Sequence, residues 1–495
     1  MRHSPFRSCL VACATLLVLP SANVAAAPKE SVLQAVQLSV PKKKKEKAAA
    51  PKRVPPRLVA PKTPDRPTKP RVPERTRPEI AKPDRPPRIP PRIVFPEPGP
   101  ERERYLTSLP HRSQRASPRA QPLEQAVSRQ LVVLIGQDQP ATVEADLAGQ
   151  HGLEPLGTQV IPLLGARAAL YRIRDRRTEQ QVVAVISADV RVRQVQLNYL
   201  YRPDSGPAEA SHRLTPYGHL KVELPGAHLL AQGRDVRVAV IDSAVDVSHP
   251  DLEGAVARSF DATGGPDKTA DFHGTAIAGI IRARGVLEGV APQSSLLAIR
   301  AFQVTRQGQM PETSSWVLLK AIDWAVANDA RVLNLSFTGP RDPAVHQVLQ
   351  AATQRRVVAV AAAGNGGPKA APAYPAAYPE VIAVTALDER DRLYQYANRG
   401  SYIAVAAPGV DILAPVEMGK HSYLSGTSFA AAYVSGIVAL LLERDPGLEA
   451  ASIAELIFTG AEDLGPKGRD DQFGTGRINA LHSLQAITKL SAEKR

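Results

Sequence analysis

Apolar positions along the chain fall into two groups of elements. Between 129 and 202 they alternate with polar positions and predict RQLVVLIG (129–136) as a strand and PATVEADLAGQHG (140–152) as a helix. LEPLGTQVIPLL (153–164) and ARAALYRIRD (166–175) follow as strands, RRTEQQVVAVISADV (176–190) as a second helix and VRQVQLNYLYR (192–202) as a last strand. That βαββαβ order is the split-βαβ, ferredoxin-like arrangement. Further on the runs become denser. VRVAVIDSAVDVSHPDL (236–252) opens as an apolar β-branched strand that ends abruptly in Asp242. DFHGTAIAGII (271–281) leads through His273 and Gly274-Thr275 into an apolar helix, and YLSGTSFAAAYVSGIVALLL (423–442) turns from small residues into a long Ala- and Val-rich helix with Ser428 in its first turn.

Each of these three residues has an ordinary and a chemical reading. Ser428 could be a helix cap, for which serine is common. A hydroxyl there also lies beside unpaired backbone N–H groups and the positive end of the helix dipole, where an oxyanion would be stabilised. Asp242 could cap a turn, yet open α/β sheets carry their chemistry at such strand ends. His273 could be a satisfied histidine at a helix start.

The order Asp, His, Ser, with a strand before the first and helices after the other two, resembles the subtilisin-like serine proteases over residues about 216–485. GVAPQSSLLAIRAF (289–302), AIDWAVANDARVLNLSFTG (321–339) and VVAVAAAGNGG (357–367) carry the same resemblance. It implies a three-layer α/β domain on a parallel sheet, with Ser428 as nucleophile, His273 as general base and then acid, Asp242 orienting the imidazole, and Asn365 as an oxyanion donor beside the Ser428 backbone N–H. The chemistry agrees with the residue types. A serine hydroxyl needs an adjacent base that titrates near neutrality, and histidine is that side chain. A buried carboxylate on its other nitrogen fixes the tautomer and stabilises the imidazolium. Asp246 lacks the strand-end placement, and Asn365, between two glycines, would otherwise be a plain turn.

The resemblance further implies a peptide substrate lying as an added strand along SFTG (336–339), with its side-chain pocket walled by Ser336, Phe337, Thr338 and by Ala362 to Gly364. Thr338, where glycine is usual, should narrow the pocket mouth. Phe429-Ala430-Ala431-Ala432-Tyr433 replaces a Met-Ala-x-Pro-His run, which bears on efficiency rather than reaction type, and Ala276 stands for a second histidine outside the triad. Asp251 matches a calcium ligand of the family, but the Asn-rich loop that completes that site is missing, with Arg282 and Arg284 in its place; hard cations want clustered oxygens, so no metal and no cofactor is expected, with a structural calcium as the alternative. Asp251 is expected to terminate a turn.

Composition sets the rest of the chain apart. Residues 28–122 hold 22 of the 45 prolines, and residues 1–122 carry a net charge of +17 against −3 for the remainder. Such a stretch buries too little apolar surface to offset chain entropy and is expected as a disordered or polyproline spacer, either unliganded or drawn to anionic membrane or envelope surfaces. No basic excess suited to nucleic acid remains for the globular part. Residues 1–27 have the anatomy of a secretory signal peptide, pointing to a secreted or periplasmic protein; lipidation at Cys13 and an uncleaved anchor are alternatives. Both cysteines lie in that leader. The 129–202 module is similar in topology to the propeptide of subtilisin-like proteases, an intramolecular chaperone and inhibitor, although an unrelated adaptor would share the pattern. Maturation cleavage is expected in the polar linker at 203–215.

Three functions are consistent with these features. The first is a serine endopeptidase made as an autoinhibited precursor and acting on proteins or peptides. A catalytically weak protease-like scaffold tethered by the Pro-rich tail is the second. A nucleotide-binding α/β enzyme is the third, but no G-x-G-x-x-G or P-loop follows a strand.

Overall fold

The computed structural model describes residues 125–204, 217–265, 271–304 and 311–493. The leader, the Pro-rich stretch at 28–122 and nearly all of the 203–215 linker lie outside the described residues. The first module runs β1 (Ala126–Gly136), α1 (Val143–His151), β2 (Leu153–Ile161), β3 (Ala166–Ile173), α2 (Glu179–Ser187) and β4 (Val192–Pro203). Its strands lie in the order β4-β1-β3-β2, every pair antiparallel, as the βαββαβ pattern predicts. Several boundaries differ from the expected ones: the helices are shorter, 143–151 against 140–152 and 179–187 against 176–190, and β3 stops at Ile173. β1 begins at Ala126, and β2 stops at Ile161 because Pro162, which has no N–H for the ladder, opens a 3-10 turn at Pro162–Leu164. α2 starts with a capping box: the Gln181 N–H donates to Thr178 Oγ1, and the Thr178 N–H donates to the Gln181 side chain.

Strand alternation divides this module's apolar side chains between two cores. Leu131, Val133 and Ile135 point under α1 and α2, against Val143, Leu147, Val182 and Ile186. Val132, Leu134, Ile161 and Ala168 point the other way and join the core of the larger domain. A sheet with one face on its own helices and the other on a second domain would expose those four side chains if it stood alone, so part of its stability resides in the docking.

The larger domain comprises β5 (Arg237–Asp242), β6 (Val256–Asp261), α3 (Phe272–Arg282), β7 (Ser295–Arg300), β8 (Thr313–Ser314), α4 (Ser315–Ala327), β9 (Val332–Leu335), β10 (Phe337–Thr338), α5 (Pro343–Gln354), β11 (Val358–Ala362), β12 (Val381–Leu387), β13 (Val405–Pro408), the hairpin β14–β15 (Ile412–Val416 and Lys420–Leu424), α6 (Thr427–Arg444), α7 (Ala450–Gly460) and α8 (Ala480–Glu493). Seven strands form a parallel sheet in the order β13-β12-β11-β9-β5-β7-β6. α3 packs on α6 and α4 on α5, with both pairs against the sheet, which completes a three-layer α/β domain. α8 carries the domain past the expected end at 485. α6 is long and apolar enough to cross a membrane, but it is buried inside the protein and is the core helix of the sheet.

Docking of the module is polar as well as apolar. Asp342 caps α5, accepting from the Ala344 and Val345 N–H groups at 3.0 Å each. It also accepts from Gln196 Nε2 at 2.7 Å and from Ser315 Oγ at 2.5 Å. The Tyr199 N–H donates to Ser315 Oγ, Asn198 Oδ1 accepts from the Trp316 N–H, and the Leu163 N–H reaches Asp323 on α4. Side chains of the small module also reach the N-terminal ends of two helices in the large one, Asn198 accepting from the Trp316 N–H of α4 and Gln196 from the Ala344 N–H of α5 at 2.9 Å.

Candidate active site

Asp242 ends β5, and the backbone N–H and the hydroxyl of Ser243 hold its carboxylate. The Ser243 N–H donates to Asp242 Oδ1 at 2.7 Å, and Ser243 Oγ lies 3.1 Å from the same oxygen. His273 occupies the first turn of α3, whose N-cap is Asp271; that carboxylate accepts from the His273 N–H at 2.9 Å. His273 Nδ1 donates to Asp242 Oδ1 at 2.8 Å, with both side chains almost fully buried. Gly274 is required by proximity: a Cβ there would lie 2.5 Å from the Ser243 carbonyl. Burial of the imidazole disfavours its charged form, but Asp242, with Asp271 and Asp204 behind it, outweighs burial and holds the His273 pKa above its ordinary value. His273 Nε2 is buried and has no hydrogen-bond partner among the described residues.

Ser428 lies one residue inside α6, whose N-cap is Gly426, so the serine is not a cap. Its Oγ is 2.5 Å from the carbonyl oxygen of Asp204 and 3.0 Å from that of Ser336. Asn365 Nδ2 donates to the same Asp204 oxygen at 2.9 Å. The carboxamide orientation is set by chemistry, since Asn365 Oδ1 accepts from the Thr427 N–H at 3.2 Å and lies 3.1 Å from Thr427 Oγ1. Where the sequence suggested the Asn365 amide and the Ser428 N–H around one oxygen, the structure brings Asn365 Nδ2 and Ser428 Oγ to it.

The carbonyl in that position belongs to the end of β4. Its last residues pass between two short strands: Tyr201 and Leu200 pair with Thr313 and Ser314 of β8, and Pro203 and Arg202 with Phe337 and Thr338 of β10. The Asp204 N–H then donates to the Ser336 carbonyl at 3.2 Å. Ser336, Phe337 and Thr338, expected along a peptide substrate, here lie along the chain's own β4, and β8 on its other side was not foreseen. Ala362 ends β11 in the core, and the Gly364 N–H donates to Thr427 Oγ1 at 3.2 Å. Tyr201 is fully buried, edge-on to Phe337 at 5.7 Å, and against Gly339, where any Cβ would strike its ring. Thr338 also borders a cavity of about 670 Å³ with Leu200, Arg202, Pro340 and Ala371.

Asp204 itself escaped the sequence reading, because PDSG has the composition of a turn-rich loop. Its carboxyl is buried: Oδ1 accepts from the Asn365 N–H at 3.1 Å and Oδ2 lies 2.8 Å from Thr427 Oγ1. Desolvation pushes its pKa up to about 6, against the opposing pull of Thr427, Asn365, His273 and Gly364. Ser243, Asp271 and Thr427 were also missed; small polar residues next to a motif carry no signal of their own.

Asp251 tests the fit of a structural calcium. Its Oδ1 accepts from the Val286 N–H at 2.6 Å, and Oδ2 from the Leu287 N–H at 3.3 Å and from His421 Nε2 at 2.7 Å. A carboxylate surrounded by nitrogen donors does not fit an ion that requires clustered oxygens. It ties the 286–287 turn to β15 rather than ending a turn of its own.

The pattern of the subtilase family matches residues 233–476. The chain is 36% identical over 280 residues to subtilisin of Bacillus pumilus, covering 54% of this chain and 98% of that protein. It belongs to the subtilase family. A thermophilic serine proteinase of Bacillus sp. strain AK1 is 30% identical over 340 residues, covering 67% of this chain and 82% of that protein. Fervidolysin from Fervidobacterium pennivorans, described as a keratinolytic enzyme related to subtilisin, superimposes with a TM-score of 0.63 at 26% identity, covering 74% of this chain and 62% of that one. The protein is a subtilisin-like serine protease acting on protein or peptide substrates.

Proposed function

We propose that this subtilase is a secreted or periplasmic endopeptidase made as a self-blocked precursor, with Asp242, His273 and Ser428 as its triad and Asn365 in its oxyanion hole. One observation carries the reading: the Asp204 carbonyl oxygen lies between Ser428 Oγ and Asn365 Nδ2, at 2.5 and 2.9 Å, at the end of an added strand. The 129–202 module is then the inhibitory propeptide, and the bond from Asp204 to Ser205, inside the 203–215 linker, is the first substrate.

The steps follow from the chain's own groups. Rotation of the Ser428 hydroxyl from the Asp204 oxygen toward His273 Nε2 gives the partnerless nitrogen its hydrogen bond. His273 takes the proton as Oγ attacks the Asp204 carbonyl carbon, and Asp242 stabilises the imidazolium. Charge moves onto the carbonyl oxygen, where the Asn365 amide is already aimed. Protonation of the Ser205 nitrogen by His273 breaks the C–N bond and leaves an ester on Ser428. Water, deprotonated by His273, then hydrolyses the ester, regenerating the hydroxyl and releasing the Asp204 carboxyl group.

Ser428→Ala together with a fluorophosphonate probe tests this. The variant should lose labelling, self-cleavage and turnover, the last by on the order of a millionfold, a magnitude general to such triads rather than obtained from this geometry. Labelling or self-cleavage in Ser428→Ala overturns the assignment. The leader supports export, and the basic Pro-rich tail supports attachment to an anionic envelope surface. Deleting residues 28–122 should release the protein from membranes with peptide turnover unchanged, and unchanged partitioning overturns the tether.

A further inference from the structure

The Asp204 side chain is seated in the pocket that precedes the proposed scissile bond, and its contacts there are polar. Oδ1 takes the Asn365 backbone N–H at 3.1 Å, while Oδ2 lies 2.8 Å from Thr427 Oγ1. We propose that this pocket is built for a short carboxyl or carboxamide side chain, so that the enzyme cuts polypeptides after Asp or Asn. The preference rests on the Ser428 assignment above and gives that site its substrate class.

Hydrogen-bond counting supports it. Thr427 Oγ1 has one proton and two acceptors in reach, Asp204 Oδ2 and Asn365 Oδ1, the latter at 3.1 Å, while the Gly364 N–H donates to it at 3.2 Å. If the hydroxyl serves Asn365, Oδ2 must donate to Thr427, which a protonated Asp or the amide nitrogen of Asn can do. If it serves Oδ2, an ionised Asp or an Asn oxygen is accepted instead. An aliphatic or aromatic side chain satisfies neither and leaves the Asn365 N–H without its acceptor, and sites that hydrogen-bond a substrate reject analogues lacking that group. Among the described residues no Lys or Arg forms an ion pair with Asp204; His273 is the cation that opposes its raised pKa, and Tyr402 is the other titratable group facing it. That balance fits a pocket which does not demand a full negative charge.

The full-length chain provides the test. Cleavage between residues 204 and 205, followed by mass spectrometry of the new N-terminus, is compared for wild type, Asp204→Asn, Asp204→Phe and Asp204→Lys. Asn should match wild type within a few-fold, while Phe and Lys should slow the cut at least about tenfold or move it. Because those variants could disturb docking, the processed wild-type enzyme is also given peptides Tyr-Arg-Pro-X-Ser with X as Asp, Asn, Ala, Leu or Phe. The same ordering in kcat/KM supports the proposal, and equal or faster cleavage after Leu or Phe overturns it. Probe labelling of Ser428 separates the two levels: with labelling intact, a Leu or Phe preference removes only the pocket assignment, whereas absent labelling removes both.

Discussion

The two halves of the candidate site are held in different ways. Asp242 and His273 are fixed by their own neighbourhood: a strand end, the Asp271 cap of α3 and the Ser243 backbone leave the imidazole one orientation, with Nδ1 2.8 Å from the carboxylate. Ser428 and Asn365 are engaged by a distant segment, since both reach the Asp204 carbonyl at the end of β4. One half is complete without the module's C-terminal tail, the end of β4 at Pro203 and Asp204; the other points at it. Under the proposed roles, preorganisation of His273 costs the fold nothing when substrate arrives, while Ser428 Oγ is held on a carbonyl of its own chain. In the proposed self-cleavage the halves join with Asp204 still seated, when Ser428 Oγ turns from that carbonyl oxygen to His273.

Among changes that leave Ser428 in place, the largest effect should come from the self-contained half. Asp242→Asn keeps the shape of the carboxylate but presents an amide to His273 Nδ1 and favours the wrong tautomer. Turnover should fall about 10⁴-fold, a magnitude general to such triads and not obtained from this geometry. Probe labelling should slow in parallel while the fold, followed by circular dichroism, is kept. Retention of wild-type kcat would show that the imidazole is oriented by Asp271 and packing alone.

Asn365→Ala acts on the other half. It removes the amide aimed at the carbonyl oxygen and leaves the Asp242–His273 pair untouched, so kcat should drop about 100- to 1000-fold with little change in KM, again a general magnitude for an oxyanion amide. A rise in KM at constant kcat would make Asn365 a binding residue instead.

The tail adds a pH dependence with a definite sign. The Asp204 carboxyl has a pKa of about 6 when seated and an ordinary value of 3.8 when free. The seated form therefore holds its proton more tightly: docking is strongest below the free value and weakens as pH rises through about 6. With a tenfold change per unit, the tail should bind up to about a hundredfold more weakly above pH 7 than below pH 4. His273 titrates in the same range, so the comparison is with Asp204→Asn, which keeps His273 and cannot ionise at 204. The difference between the two pH profiles of tail release isolates Asp204, and superimposable profiles would refute the assignment of the titration.

How much of this was legible in the sequence differs between the halves for a physical reason. Asp242, His273, Ser428 and Asn365 sit where a strand or helix begins or ends, and a sharp change from apolar run to small polar residue marks such points. The parallel sheet and the βαββαβ module were equally visible, because apolar periodicity reports burial directly. Burial of the module's sheet on both faces was not foreseen; only the structure shows Val132 and Leu134 entering the larger core. Asp204 was invisible for the opposite reason. Its role comes from pairings with residues more than a hundred positions away, including Phe337 and Ser428, and no local pattern encodes a long-range register. The β8 rim, two residues long, is too short for periodicity to show.

A control outside both halves yields the smallest effect. His421 donates to Asp251 at 2.7 Å, closing a carboxylate that also takes the Val286 and Leu287 N–H groups. His421→Ala leaves a buried Asp251 oxygen short of one donor, which costs about 1–3 kcal/mol and should lower the unfolding midpoint by several degrees, while kcat and probe labelling stay at wild-type levels. Chelators should leave the wild-type midpoint in place, because nitrogen donors already occupy the carboxylate that an ion would need. A midpoint that falls on chelation would show an ion contributing to this part of the fold. Loss of activity in His421→Ala at temperatures where it remains folded would show that the hairpin preceding α6 helps to place Ser428, and the serine half would then depend on more than the tail and the helix that carries it.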